Sequence, residues 1–477
     1  MPSHWKPVNN PQSLSVDTML LLTDASVMCH EYETPNWHRL VPDAKGNYRT
    51  GTWHPVTPLP ANAPPGQQGP VDAPLYFASA VLKDGRVFVA GGEYNSGVSE
   101  DLLTSEIYDP VSDSWTALST PSGWSNIGDA PTCVLPDGKV LLGNINTVQT
   151  AILDPVTKTW SSGGNKDDSS SEESWTLLPN HSILCAEVTN HPKAERYPIG
   201  NNKWVSAGAV PAASDLVLNV PGISIEIGPA VLMPDGRVFC IGATGHTALY
   251  DVKTGAWSAG PDVTDSSGNL LRAFDAPAVL LPNGRVLFIV GPPITSGPLA
   301  GWAGLPLYFF EFDGTKLHSV TPPANAASTV TYNCRFLLLP TGQVLYSNCS
   351  SDLEIFTPHG VPHQHWRPHI TNVPHALRHG HSYRLRGQQL NGLSQANAYG
   401  DDAQMATNYP LVRLKHAGNK KVHFCRTFDH STMAVATGHK TVHTHFHVPH
   451  SVHAGHYELA VIANGIESKS VKVHVRP

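Results

Sequence analysis

Residues 127–143 read IGDAPTCVLPDGKVLLG. Two apolar runs flank Pro136-Asp137-Gly138, the signature of a β-hairpin with a tight turn. The same pattern recurs as LLLTDASVM (20–28), VLKDGRVFV (81–89), LLPNHSILC (177–185), LMPDGRVFC (232–240), LLPNGRVLF (280–288) and LLPTGQVLY (338–346). The repeats stand roughly 45–60 residues apart. After each hairpin comes a third apolar segment, a short turn and usually a Trp, as in YDPVSDSW (108–115), LDPVTKTW (153–160), YPIGNNKW (197–204) and YDVKTGAW (250–257). The first repeat ends at Trp53, and in the sixth Leu317 takes the Trp place.

Each repeat is therefore four strands, and four-stranded units at this period predict β-propeller blades. A stacked β-solenoid is the alternative. The seventh repeat has only three strands, ending at LEIFTP (353–358), while HWKPV (4–8) near the N-terminus matches TWHPV (52–56). The expectation is an all-β chain: a seven-bladed, kelch-like β-propeller over 1–358, its last blade closed by the N-terminal strand. Residues 359–369 read as a linker. Segments such as SYRLRG, THFHV and YELAVIA in 370–477 predict a C-terminal immunoglobulin-like β-sandwich.

Composition agrees. Of 477 residues, 14% are charged and 40% hydrophobic, with 40 Gly and 41 Pro, which suits many tight turns. A net charge of −7 without a basic cluster argues against nucleic acid as a partner. No apolar run is long enough to span a membrane. The N-terminal residues lack the pattern of a signal peptide, so the expectation is either a cytoplasmic protein or, slightly preferred, a secreted one whose signal is removed. Seven scattered Cys do not form a disulfide framework. Oligomeric state is not legible.

Candidate chemistry sits at the strand starts. Counting eight residues back from each turn gives Val16, Tyr76, Asp129, Glu172, Ile227, Asp275 and Asn333. Inner-strand starts crowd around the channel at one face of a propeller, so Asp129, Glu172 and Asp275 should share one mouth. Glu226 and Glu173 are candidates to join them, and Tyr76 and Tyr332 add phenols. Acids so crowded either hold protons or surround a cation. The first outcome gives a general acid/base pair, the second a hard oxygen cage for Ca²⁺ or another divalent cation such as Mg²⁺. The competing reading is local turn chemistry, since GDAP (128–131) and FDAP (274–277) repeat one Asp-Ala-Pro phrase.

The stretches NGLSQANAYGDDAQMATNYPLVRL (391–414) and CRTFDHSTMAVATG (425–438), with AGGEY (90–94), resemble the galactose oxidase family of copper radical oxidases. The resemblance covers nearly the whole chain at the level of architecture. It implies a C-terminal hairpin reaching into the propeller axis and a copper site of one Cys, two Tyr and two His. Mapped onto this chain, those places hold Tyr76, Asp129, Tyr332, Asn333 and Gln404, so only Tyr332 keeps its residue type. Losing both imidazoles leaves a poor copper site. Copper is therefore not the favoured cofactor, although an oxidase with altered ligands stays an alternative.

Asn333, Gln404, Glu226, Arg426 and His430 are candidate substrate-binding residues. Eighteen of the 26 His lie from His359 onward. His443, His445 and His447 alternate along one strand, so they share a face and are candidate ligands, functional or adventitious, for Zn²⁺, Ni²⁺ or Cu²⁺. The functional expectation is an enzyme acting on a polyhydroxylated small molecule or glycan by acid/base chemistry. A non-catalytic carbohydrate- or cation-binding propeller is the alternative from another class.

Overall fold

The computed structural model describes residues 3–60, 73–222, 224–399 and 405–477. The opening stretch forms the hairpin Thr132–Val134/Val140–Leu142, with Cys133 opposite Leu141. Gly138 closes its turn at φ 97°, a conformation that only Gly adopts cheaply, and donates to the Leu135 carbonyl at 2.8 Å. Gln149–Asp154 and Thr159–Asn165 complete a four-stranded antiparallel sheet.

Six other sheets follow the same order, so the described residues hold seven, and the sixth carries a fifth strand. Their first strands are Val16–Leu21, Ala78–Val81, Thr132–Val134, Trp175–Leu178, Ala230–Leu232, Ala278–Leu280 and Arg335–Leu338. Each neighbours the next, and the last neighbours the first, so the sheets close a ring. His4–Pro7 pairs with Glu354–Thr357, Trp5 opposite Phe356, and supplies the outer strand of the seventh sheet. The start of the chain is thereby laced to the last sheet of the ring, whose outer edge it covers.

The recurring Trp has a physical role. Trp53, Trp115, Trp160 and Trp257 each donate an indole N–H to a backbone carbonyl of the preceding sheet's end: Asn9, Thr57, Ser119 and Ala207, at 2.6–3.0 Å. Trp5 does the same to Thr321 at 2.7 Å, so the N-terminal strand copies the staple as well as the pairing. Each Trp spans neighbouring sheets with an apolar body and a polar tip.

The C-terminal residues form two further sheets. His369–Asn372, Ser382–Gln388, Thr441–His447 and Thr427–Phe428 make one; Ala376–Arg378, Val471–Arg476, Gly455–Ala463, Leu411–His416 and Val422–Cys425 make the other, with Ile466–Glu467 pairing onto Gly455–Ala463. Leu377, Leu385, Leu414, Phe446, Leu459 and Val461 are buried between them. From this unit residues 394–399 enter the ring. Asn397–Ala398 pairs with Ala278–Leu280, Gln395 accepts from Leu177 N at 2.8 Å, and Asn397 accepts from Leu338 N at 2.8 Å. The inserted segment thus satisfies inner-strand amides that a hollow channel would leave bare. No helix among the described residues is long and apolar enough to cross a membrane, and all seven Cys are free.

Candidate functional site

Where the inner strands begin, the backbone kinks. Tyr76, Glu172 and Asp275 lie in the left-handed region at φ 52°, 58° and 38°. Such a conformation costs an L-residue roughly 1–2 kcal/mol, and it persists only where surroundings enforce it. Asp129 follows Gly128 at φ 70°, where a Cβ would fall 2.3 Å from Ile145 Cδ1. These kinks turn side chains out of the strands and toward the axis.

They meet in a cavity of about 430 Å³. Its walls include Glu33, Glu93, Asp129, Glu172, Glu226 and Asp275 together with Tyr76, Tyr94, Trp302, Tyr332 and Tyr399. Six of its described lining residues are acidic, and none is Lys, Arg or His. Carboxylate oxygens of Glu172, Glu226 and Asp275 all lie within 4.8 Å of one another. Glu226 arrives on a two-stranded ribbon, Leu218–Val220/Ser224–Glu226, and accepts from Ser224 Oγ. Burial, then Glu226, Asp129, Asp275 and Glu93, push the Glu172 carboxyl well above its ordinary range. Burial likewise raises the phenols of Tyr76 and Tyr332, and raises Tyr94, beside Glu93, to about 12. All three stay protonated donors at neutral pH.

A guanidinium lies behind these phenols. Arg335 is fully buried, and its Cζ sits 3.8 Å from the Tyr399 ring centre and 5.6 Å from that of Tyr76. It donates to the Tyr332 carbonyl at 2.6 Å and pairs with Asp17 at 3.2 Å. Burial would raise Asp17, but Arg335 and His30 outweigh it and hold the carboxyl at about 2.

Several expectations need correction. The fifth-repeat ring position, Ile227, packs into the core, and its neighbour Glu226 is the one that reaches the cavity. Glu173 turns away from the axis, onto Lys166 at 3.0 Å, where the chain kinks at Glu172 before the strand begins. Asn333 stands just behind the wall, accepting from Tyr76 Oη at 3.2 Å. Gln404 lies outside the described residues. Arg426 and His430 are at the other end of the ring, beside the hairpin turns. Arg426 covers Phe428 and reaches the Asp84 carbonyl at 3.5 Å. His430 donates its backbone N–H to Lys83 O, and its Nδ1 is 2.9 Å from Thr444 Oγ1. Burial drives this imidazole down to about 3, so it is neutral. Both residues join the C-terminal sheets to the ring, far from the acids, because an inner strand separates its own start from its turn.

His443, His445 and His447 do share a half-exposed face, but they do not gather three ligating atoms around one point. His443 is 2.9 Å from an Arg384 nitrogen, His445 stacks on Phe428, and His447 meets Ser382 Oγ at 3.1 Å. Burial, then the nearby guanidinium of Arg384, lowers His443; burial, then the Arg426 guanidinium and the His450 and His381 imidazoles, lowers His447. Sequence reasoning missed Glu33, Glu93, Tyr94, Trp302 and Tyr399. AGGEY offered a signal: a Cβ on Gly91 would fall 2.0 Å from Gly128 O, so the paired glycines bring Glu93 against the Asp129 loop.

The donor set decides which cation fits. Carboxylate oxygens suit Ca²⁺, Mg²⁺ or Mn²⁺, whereas copper favours imidazole and thiolate. With no imidazole in its described lining, the cavity does not fit a copper centre.

No family model matches the chain, and no curated protein matches it. Solved structures do. A fungal alcohol oxidase of the AA5 family, solved in complex with copper, aligns over 100% of both chains with a TM-score of 0.52 and 16% identity. A streptogramin B lyase aligns over 75% of this chain and 98% of its own, with a TM-score of 0.51 and 11% identity. A virginiamycin B lyase from Staphylococcus aureus aligns over 75% and 100%, at 0.50 and 8%. The likeness to the AA5 oxidase is one of fold.

Proposed function

We propose that the ring is a seven-bladed kelch-like propeller (1–358), joined by a linker (359–369) to an immunoglobulin-like sandwich (370–477), and that its axial mouth is an enzyme site. In this reading Glu172, Glu226 and Asp275 hold a divalent cation of the Ca²⁺ or Mg²⁺ class, and the substrate is a polyhydroxylated small molecule or glycan end. The observation that carries the proposal is the convergence of these three carboxylates within 4.8 Å inside an aromatic-walled cavity. A bound cation would polarise a substrate oxygen. Asp129, at the same mouth, moves the proton, and the Tyr76 and Tyr332 hydroxyls donate to substrate oxygens. Trp302 and Tyr94 offer flat apolar faces to a sugar ring. An acidic mouth repels nucleic-acid phosphates, in keeping with the net charge.

Calorimetric titration of chelator-treated protein with Ca²⁺, Mg²⁺, Mn²⁺ and Cu²⁺ tests the site. One hard cation should bind per chain, and Glu226→Gln or Asp275→Asn should weaken it at least tenfold. Tight one-to-one Cu²⁺ binding with a radical-type visible band would instead revive the oxidase reading. Screening glycans and sugar acids against the parent and Asp129→Asn then separates enzyme from binding module. Turnover lost with cation binding kept marks an enzyme.

A further inference from the structure

Lys166 is a buried ammonium inside a ring of acids. It lies 3.5 Å from Asp168, 3.0 Å from Glu173, 2.8 Å from Glu187 and 3.3 Å from Glu195, and 5.0 Å from the Trp204 ring centre. Burial alone would drive its proton off, but the surrounding carboxylates, Glu173, Asp168 and Glu195 among them, hold it charged. None of this touches the axial cavity, and the cation reading does not use it. Yet the segment it ties down, between Thr159–Asn165 and Trp175–Leu178, is the one that delivers Glu172.

The segment is fastened at successive points. Lys166 N donates to Val148 O at 2.8 Å, Asp167 N to Glu195 Oε2 at 3.0 Å, and Ser170 N to Asn144 O at 3.0 Å. Asp168 Oδ2 accepts from Asn190 N at 2.8 Å, and Glu173 Oε2 accepts from Trp175 Nε1 at 3.2 Å. The last fastened acid, Glu173, is bonded directly to Glu172. With Glu173 pulled to the Lys166 side, Glu172 is left to face the axis, at φ 58°. An unfavourable backbone conformation of this kind needs such over-determination.

We infer that Lys166 is a positioning residue for the axial site: with Asp168, Glu173, Glu187 and Glu195 it forms a clamp that holds Glu172 against Glu226 and Asp275. This rests on the reading of the axial acids as a cation site. The clamp acts as outer partners of metal ligands do, and losing one member typically costs about 10–100-fold in affinity.

The test uses Glu187→Gln, which keeps Lys166 and the fold's main contacts, beside Lys166→Arg and Lys166→Met. Calorimetry with Ca²⁺ should show about tenfold weaker binding for Glu187→Gln, a greater loss for Lys166→Met, and partial rescue by Lys166→Arg. In a Glu172→Gln background the Glu187→Gln change should have no further effect, because the clamp works through Glu172. Undiminished affinity in the single variants, or an equal loss in both backgrounds, would overturn the inference. Should the parent bind none of Ca²⁺, Mg²⁺ or Mn²⁺, the cation reading fails by itself. Crystal structures of the parent and Glu187→Gln then decide the clamp. It stands if Glu172 leaves the left-handed region in the variant, and falls if Glu172 stays.

Discussion

Glu172 and Glu173 are neighbours in the chain and belong to opposite electrostatic worlds. Glu173 enters a sealed cluster in which four carboxylates surround one ammonium at 2.8–3.5 Å. Glu172 enters a cavity whose described lining offers six acidic residues and no basic one. The chain thus handles crowded acids in two ways. In one it supplies the cation from its own sequence and closes the space. In the other it leaves room, about 430 Å³, beside three converging carboxylates. The first arrangement belongs to structure: its ammonium comes from the chain itself, and burial pushes Glu173 up to about 7, so a proton offsets part of the remaining excess of acid. The second makes sense where something from outside completes the set.

Removing the internal cation should do the most damage. Lys166→Met leaves buried carboxylates without their counter-charge, and breaking such a cluster costs about 3–5 kcal/mol. Urea unfolding should show this loss with chelator or Ca²⁺ alike. A loss below 1 kcal/mol would mean that the cluster stays neutral by holding protons, and the contrast with the axial acids would collapse. The outside cation should come next. At a hundredfold excess over its Kd, Ca²⁺ or its preferred analogue should stabilise the parent by about 2.7 kcal/mol, read as a shifted urea midpoint. Asp275→Asn should erase most of that shift.

The contrast was partly legible in the sequence. Hairpins were visible because their turn chemistry is local: Pro136-Asp137-Gly138 names its own geometry, and Gly138 adopts it. The Trp period was visible because each indole repeats one contact between neighbouring sheets. Counting back from the turns reached Tyr76, Asp129, Glu172 and Asp275, which share the cavity because the repeats share a strand length. That count failed in the fifth repeat, where the inserted ribbon at 218–226 advances the acid to Glu226. Glu93 and Trp302 come from loops whose reach no local pattern encodes. Arg426 and His430 sit in a polar motif that does not say which end of a strand it will meet. The Lys166 clamp was the hardest to see. KDDSSSEES reads as a solvated loop until the fold folds it inward.

Asp17 supplies an intermediate case, a carboxylate with its own buried guanidinium beside the axis. Its carboxyl is held at about 2, against an ordinary 3.8. A depressed folded value contributes stability that is complete above about 3.8 and lost as pH falls through about 2. The shift is worth about 2 kcal/mol. Acid unfolding of the parent should therefore steepen between pH 4 and 2, and Asp17→Asn should flatten that window. An unchanged acid profile would show that Arg335 is matched by other groups. Arg335 would then count as a prop for Tyr399 and Tyr332, not as the partner of a third compensated acid.

The smallest effect separates the two acid clusters most sharply, because its sign is opposite to that at Lys166. Glu226→Gln removes one negative charge from the axial trio and keeps its shape. In chelator, the change relieves repulsion on Glu172 and Asp275. Like charges at this spacing repel by a few kcal/mol at most in a partly hydrated recess, and burial together with the neighbouring acids already favours the neutral form of Glu172. A gain of about 1 kcal/mol is therefore expected in urea unfolding. With the cation added, the order should reverse, since the variant forfeits its binding energy while the parent collects it. A variant that is less stable than the parent under both conditions would place Glu226 with Glu173, as a residue kept for the fold. Stability that crosses over with the cation is the mark of a site that gives up rigidity for a ligand.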